Sequence, residues 1–134
     1  MKATFSAIAD TVIRDADRNS LTLFDLLDGI ELSVFPVALP RLSACFVVER
    51  EEGDADIEAA TMRLKSGAVN NSFPISVEFH GKRRTRVIAR VEGYVVFQPG
   101  IITAELEKDG TVIGSYSFEV TASLTPQAPA IVAQ

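Results

Sequence analysis

The feature that most narrows the fold of this chain is the strict alternation of apolar and polar residues in its second half. Phe73, Ile75, Val77 and Phe79 alternate with Pro74, Ser76, Glu78 and His80. A period of two puts each set on one face of an extended strand, the apolar set toward a core and the polar set toward water. Thr85, Val87, Ala89 and Val91 repeat the scheme opposite Arg84, Arg86, Ile88 and Arg90. Ala60, Met62 and Leu64 repeat it again against Thr61, Arg63 and Lys65.

The end of the chain reads as a hairpin. Ile102, Ala104 and Leu106 share a face, Lys108-Asp109-Gly110-Thr111 supplies a turn, and Tyr116, Phe118 and Val120 return along the same face. Asp-Gly suits a type I′ turn, whose two central residues both take positive φ. Gly93 and Pro99-Gly100 read as punctuation around Tyr94 to Phe97.

In the first third, Ala7 to Arg14 has strand character and Asp15-Ala16-Asp17-Arg18-Asn19 is turn-like. Leu21 to Ile30 admits two readings. Ser20 could cap a short helix ending at Gly29, with Leu23, Leu26, Leu27 and Ile30 on one side. Alternatively the stretch is the second strand of a hairpin, apolar on both faces and therefore central in a sheet; the preceding strand and turn favour this. Phe35 to Pro40 is extended or looping, because each Pro lacks an N–H and pushes its predecessor out of the helical region. Leu42 to Arg50 is a further apolar strand, with Glu51 to Asp54 as its exposed turn.

Seven or eight strands at short spacing predict an all-β fold, an antiparallel two-sheet β-sandwich of the Greek-key or immunoglobulin-like kind. The Cys–Trp–Cys pattern of antibody domains is absent, since the chain has no Trp. One domain is expected over residues 1–124. A mobile tail follows over 125–134, where two Pro and three Ala leave little to pack. With 134 residues, 47% of them hydrophobic, the chain is long enough for a core without disulfides or a structural metal.

The lone Cys45 excludes an internal disulfide and a cysteine-based zinc cluster. Set among Ala44, Phe46 and Val47, it reads as a small buried hydrophobe rather than a reactive thiol. Met1 to Asp10 has no apolar stretch long enough for a secretory leader, and no run reaches the roughly 20 apolar residues of a membrane span. A cytoplasmic protein with no membrane partner is expected. Net charge is −5, unevenly spread. Residues 1–58 hold five basic and twelve acidic side chains, and residues 59–134 hold eight basic and six acidic. An acidic protein is repelled on average by nucleic acid, so no nucleic-acid partner is expected.

Ala9-Asp10, Val12-Ile13, Asp15, Leu21-Thr22-Leu23-Phe24-Asp25 and Asp28-Gly29-Ile30, followed by Phe35-Pro36-Val37 and Pro40-Arg41, resemble the opening of a family of small bacterial proteins of unknown function. Pro99-Gly100, Glu105-Leu106, Gly110 and Gly114 are similar to its closing hairpin. The resemblance implies that the opening pair is a strand–turn–strand unit. It implies no catalytic residue, cofactor or ligand.

Candidate sites fall into four groups. Asp15, Asp17 and Asn19 imitate the first half of a calcium loop, but Ser20 and Leu26 stand where an EF-hand needs Gly and a bidentate carboxylate; the plain alternative is an Asx turn. His80 is the single histidine and would have to serve any histidine-based triad, yet it sits beside a turn and no Gly-x-Ser-x-Gly elbow exists. A small-ligand site or enzyme around His80 would need a cleft holding it with a perturbed carboxylate. Glu51, Glu52, Asp54, Asp56 and Glu58 form a charge run expected in a solvated loop, while Asp25 and Asp28 interrupt an apolar run as turn or edge residues. The basic group Lys82, Arg83, Arg84, Arg86 and Arg90 is the surface feature most able to bind. Arg84, Arg86 and Arg90 line one face and could take a carboxylate-rich protein partner, a phosphate, or the acidic half of a second copy in a homo-oligomer. The alternative is a charge ladder that keeps an exposed strand from aggregating. No aromatic is interleaved to stack bases, and no phosphate-cradling glycine loop implies a cofactor. The expected role is a non-enzymatic interaction or structural module.

Overall fold

In the computed structural model, which describes residues 1–123, the alternating segments become nine strands and no helix. They are β1 (Lys2–Arg14), β2 (Leu21–Leu26), β3 (Gly29–Leu32), β4 (Val37–Glu49), β5 (Ile57–Ser66), β6 (Val69–Glu78), β7 (Arg84–Val96), β8 (Gly100–Lys108) and β9 (Thr111–Ala122). One sheet has the order β2-β1-β4-β7 and the other β3-β9-β8-β5-β6. The expected tail, residues 125–134, lies outside the described residues.

The alternation does what its period requires. Val77 and Phe79, Met62 and Leu64, Ile102, Ala104 and Leu106, and Phe118 and Val120 are all buried, and they pack in one cluster with Ile8, Leu42, Ala44, Phe46, Val48 and Val87. Both sheets therefore turn one face to a common core. The β8–β9 hairpin closes on Asp109 (φ 50°) and Gly110 (φ 80°), the two positive φ values of a type I′ turn.

Four features differ from the sequence reading. There are nine strands rather than seven or eight, because Leu21 to Ile30 is divided. β2 pairs with β1, Leu27 N–H still donates to the Ile8 carbonyl, and β3 then joins the other sheet. Asp25 takes φ 55° near the division, and Asp28 lies between the two strands. Second, the pairing is not wholly antiparallel: β3 runs parallel to β9, with Ile30 opposite Val120. Third, β2 is a strand, but it lies at a sheet edge rather than in the centre. Its Leu21 and Leu23 pack on a small apolar cluster, while Phe24 and Leu26 are exposed.

Fourth, Gly93 does not end a strand. β7 runs through it at φ 68°, and the alternation changes phase there: Val87, Ala89 and Val91 face the core before it, Tyr94 and Val96 after it. β4 changes phase at the matching place, with Val37 and Leu39 inward before Pro40 and Leu42, Ala44 and Phe46 after. A proline without an N–H sits beside a glycine free to take positive φ, so both strands shift face together and keep their pairing register.

Candidate functional site

The arginine stripe is set by the phase of β7. Val87, Ala89 and Val91 pack into the main core, so Arg84, Arg86, Ile88 and Arg90 face the other way. β4 places Glu49, Val47, Cys45 and Ser43 opposite these four. Ile88 joins Cys45, Ala9, Val12, Leu21 and Leu23 in a second apolar cluster on this outer face. The β1–β2 hairpin reaches over to build it: Arg90 Nη2 donates to the Val12 carbonyl at 3.1 Å and Arg86 Nη1 to Asn19 Oδ1 at 2.9 Å.

Between the hairpin and β7 lies a cleft of about 740 Å³. Ile13, Arg14 and Asn19 line one side, Arg84, Thr85, Arg86, Ile88 and Arg90 the other, and Phe79, His80 and Lys82 one end. That end is held by Asp56, whose Oδ1 accepts from Gly81 N–H at 2.6 Å and whose carbonyl accepts from Phe79 N–H at 2.9 Å. His80 is exposed and takes φ 54° in the turn.

Among the described residues the lining contains no carboxylate. Seven of the thirteen Lys and Arg have an acidic side chain within 4 Å: Arg41, Arg50, Arg63, Lys65, Arg83, Arg84 and Lys108. Of the six with none among the described residues, Arg14, Lys82, Arg86 and Arg90 all line the cleft, while Lys2 and Arg18 do not. In a chain with 18 acidic residues, cations without counter-ions have thus been gathered in one concavity. Arg84 is the exception within it, bonded to Glu49 Oε2 at 3.1 Å. That hydrogen bond, opposed by partial burial and helped by the charges of Arg84, Lys2 and Arg83, holds the Glu49 carboxyl below the usual carboxylate range. Beneath the stripe, burial pushes the Cys45 thiol up, with Arg86 pulling weakly the other way.

Arg84, Arg86 and Arg90 are therefore brought together as the alternation implies, and Lys82 joins them from the turn before β7. Arg83 is not: one position out of phase, it is 88% exposed, pairs with Glu49 at 3.8 Å and borders a separate hollow of about 290 Å³. Sequence reasoning missed Arg14, Asn19 and Ile13. The available signal was the consecutive apolar run Ala7-Ile8-Ala9, which points to cover on both faces of β1.

The other candidate groups have structural work. Asp15 Oδ1 accepts from Asp17 N–H at 2.9 Å, an Asx turn, and Asn19 Oδ1 is taken by Arg86. Among the described residues no three His, Cys, Asp or Glu side chains come together as metal ligands. The acidic run is not merely solvated. Asp54 holds the Met1 ammonium at 2.6 Å, and Glu58 holds Lys108 Nζ at 2.7 Å. No helix among the described residues is long and apolar enough to cross a membrane.

Fold and site define an all-β chain of two sheets with a basic cleft on the outer face of one. The chain belongs to a family described as a family of unknown function (DUF6941), whose profile matches residues 4–121. This agrees with the resemblance read from the opening and closing segments. No curated protein matches the chain in sequence. Among solved structures it is similar to a Pseudomonas fluorescens alkylpurine DNA glycosylase, AlkC, bound to DNA containing an abasic site analog, with 14% identity and a TM-score of 0.44. The likeness covers 87% of this chain, which spans 30% of that protein's length.

Proposed function

We propose that this chain is a non-enzymatic interaction module whose basic cleft binds an acidic segment of a protein partner. The observation that carries the reading is the convergence of Arg14, Lys82, Arg86 and Arg90, none with a carboxylate partner among the described residues, in one cleft without acidic lining. Among the described residues Arg86 is bonded to a neutral amide and Arg90 to a backbone carbonyl, which supports remaining donors being available to a carboxylate. The lining offers donors and no carboxylate to act with His80, which supports holding an anion over acid–base chemistry. We read the scaffold as one domain, a two-sheet sandwich of immunoglobulin-like kind, in which the shared core supports the pairing of the sheets. A cytoplasmic setting accords with a lone buried thiol.

The test is fluorescence anisotropy of a labelled polyglutamate peptide at rising salt. Binding should weaken as screening shortens the reach of the cleft's charges, the Debye length being about 10 Å at 0.1 M salt. The double variant Arg86→Ala/Arg90→Ala should lose at least tenfold in affinity. Equal binding by parent and variant would overturn the reading.

A further inference from the structure

β7 is the last strand of its sheet, and its far side has no partner strand among the described residues. An extended chain laid along such an edge completes the ladder with its own backbone, and its alternate side chains then stand beside those of the edge strand. Along β7 the outward order is Arg84, Arg86, Ile88, Arg90, so neighbouring positions repeat at about 6.6 Å, two residues at about 3.3 Å each. The order is not uniformly basic. Arg84 is already bonded to Glu49, leaving two uncompensated guanidinium groups with an apolar residue between them. Ile88 packs against the small outer cluster, and Ile13, across the cleft, is 46% exposed.

We propose that the cleft's occupant, on the acidic-partner reading above, is an extended segment paired along β7 with an acidic residue beside Arg86, an apolar residue beside Ile88 and a second acidic residue beside Arg90. The pattern is acidic–x–apolar–x–acidic, with its two carboxylates about 13 Å apart. Each carboxylate meets a guanidinium in a charge-assisted hydrogen bond, and the apolar side chain between them covers Ile88 and Ile13. A helix could set side chains four apart at about 6 Å along one face, but it could not extend the ladder, because its backbone N–H and C=O groups are bonded within the helix. A single-stranded nucleic acid would need a run of exposed rings to stack successive bases on, and among the described lining residues His80 is the one exposed ring, Phe79 being 1% exposed. An anti-aggregation ladder accounts for charge on β7 alone. It does not account for Arg14 from β1 and Lys82 from the turn closing in on the same cleft.

The experiment is an NMR titration of the ¹⁵N-labelled protein with two nine-residue peptides of identical composition. One is acidic–x–apolar–x–acidic at its centre, and the other has the two acids adjacent and the apolar residue displaced. The patterned peptide should bind at least fivefold more tightly, move the amides of residues 84–90 most, and lose its advantage in Arg86→Ala/Arg90→Ala. Equal affinity for the two peptides would overturn the register while leaving the acidic-partner reading intact. Failure of both peptides with polyglutamate still bound would likewise overturn the register alone. Failure of all three would overturn both. Methylating the patterned peptide's backbone nitrogens at alternate residues should abolish binding in one of the two phases. Indifference in both phases would overturn pairing along the edge.

Discussion

Replacing Gly114 with Ala tests how closely the two sheets approach. Gly114 lies on β9 opposite Leu106 of β8. A Cβ built there would lie 2.5 Å from the Cβ of Ala3 on β1, 3.1 Å from Ser6 Oγ and 3.2 Å from Phe46 Cδ1. Two carbons cannot sit at 2.5 Å, and the nearest obstacle is a short side chain on a paired strand that cannot rotate away. Forcing an extra methyl into a packed site costs about 1–3 kcal/mol, and contacts with three neighbours put this one at about 2–3 kcal/mol. At about 2.1 cal/mol/K per residue, residues 1–123 give an unfolding entropy of about 0.26 kcal/mol/K, so Tm should fall by about 8–12 °C. Gly29→Ala is the control, since its Cβ would meet nothing closer than the Glu119 carbonyl at 4.0 Å. That variant should melt within a few degrees of the parent. Ala3→Gly should recover part of the loss in Gly114→Ala, because it removes the closest of the three contacts; only a double-mutant cycle separates this from its own strand cost. Differential scanning calorimetry reads all five proteins: the parent, the three single variants and the double variant. A Gly114→Ala protein melting within 2 °C of the parent would refute the close approach of β1 and β9.

Three further outcomes follow from the same coordinates. Cys45 is fully buried with a raised pKa, so its alkylation by iodoacetamide should be undetectable in the native protein and complete in denaturant; fast native labelling would contradict the outer cluster. The carboxyls of Glu49, Asp54, Glu58 and Glu107 are held below their ordinary range, chiefly by hydrogen bonds from Arg84, the Met1 ammonium, Lys108 and Arg63. A depressed folded pKa stabilises above the unfolded value of about 4 and is lost as pH falls through the folded one, so Tm should hold to about pH 5 and drop below about pH 4. A Tm rising on acidification would contradict this. For the Met1 ammonium, burial opposes the charge, but hydrogen bonds to Asp54 and Glu51 outweigh it and raise the pKa. A raised folded pKa stabilises below the unfolded value of about 8 and is lost as pH rises through the folded one. Asp54→Asn should therefore shrink both the acid and the alkaline dependence of Tm.

How much was legible in the sequence varied with the range of the interaction. The β8–β9 hairpin and the core faces of β5, β6 and the first part of β7 follow from local alternation and an Asp-Gly turn, and they were read correctly. The division of Leu21 to Ile30 was not legible, because joining Ile30 to Val120 depends on a partner ninety residues away. The phase change at Gly93 was half legible. Glycine marked an irregularity, but only the facing Pro40 shows that the strand survives it. At the site, period two placed Arg84, Arg86 and Arg90 together, while Arg83, read as part of the same basic group, borders a separate hollow. Arg14 and Asn19 joined them through the lean of the β1–β2 hairpin over β7, a tertiary contact with no spacing signature in the chain.

The central claim is that the cleft between the opening hairpin and β7 receives an acidic segment. Hydrogen–deuterium exchange with and without saturating polyglutamate tests it most directly. The account predicts slowed exchange confined to residues 12–19 and 79–90, abolished in Arg86→Ala/Arg90→Ala. Protection elsewhere, or in neither segment while the peptide is bound, would contradict it.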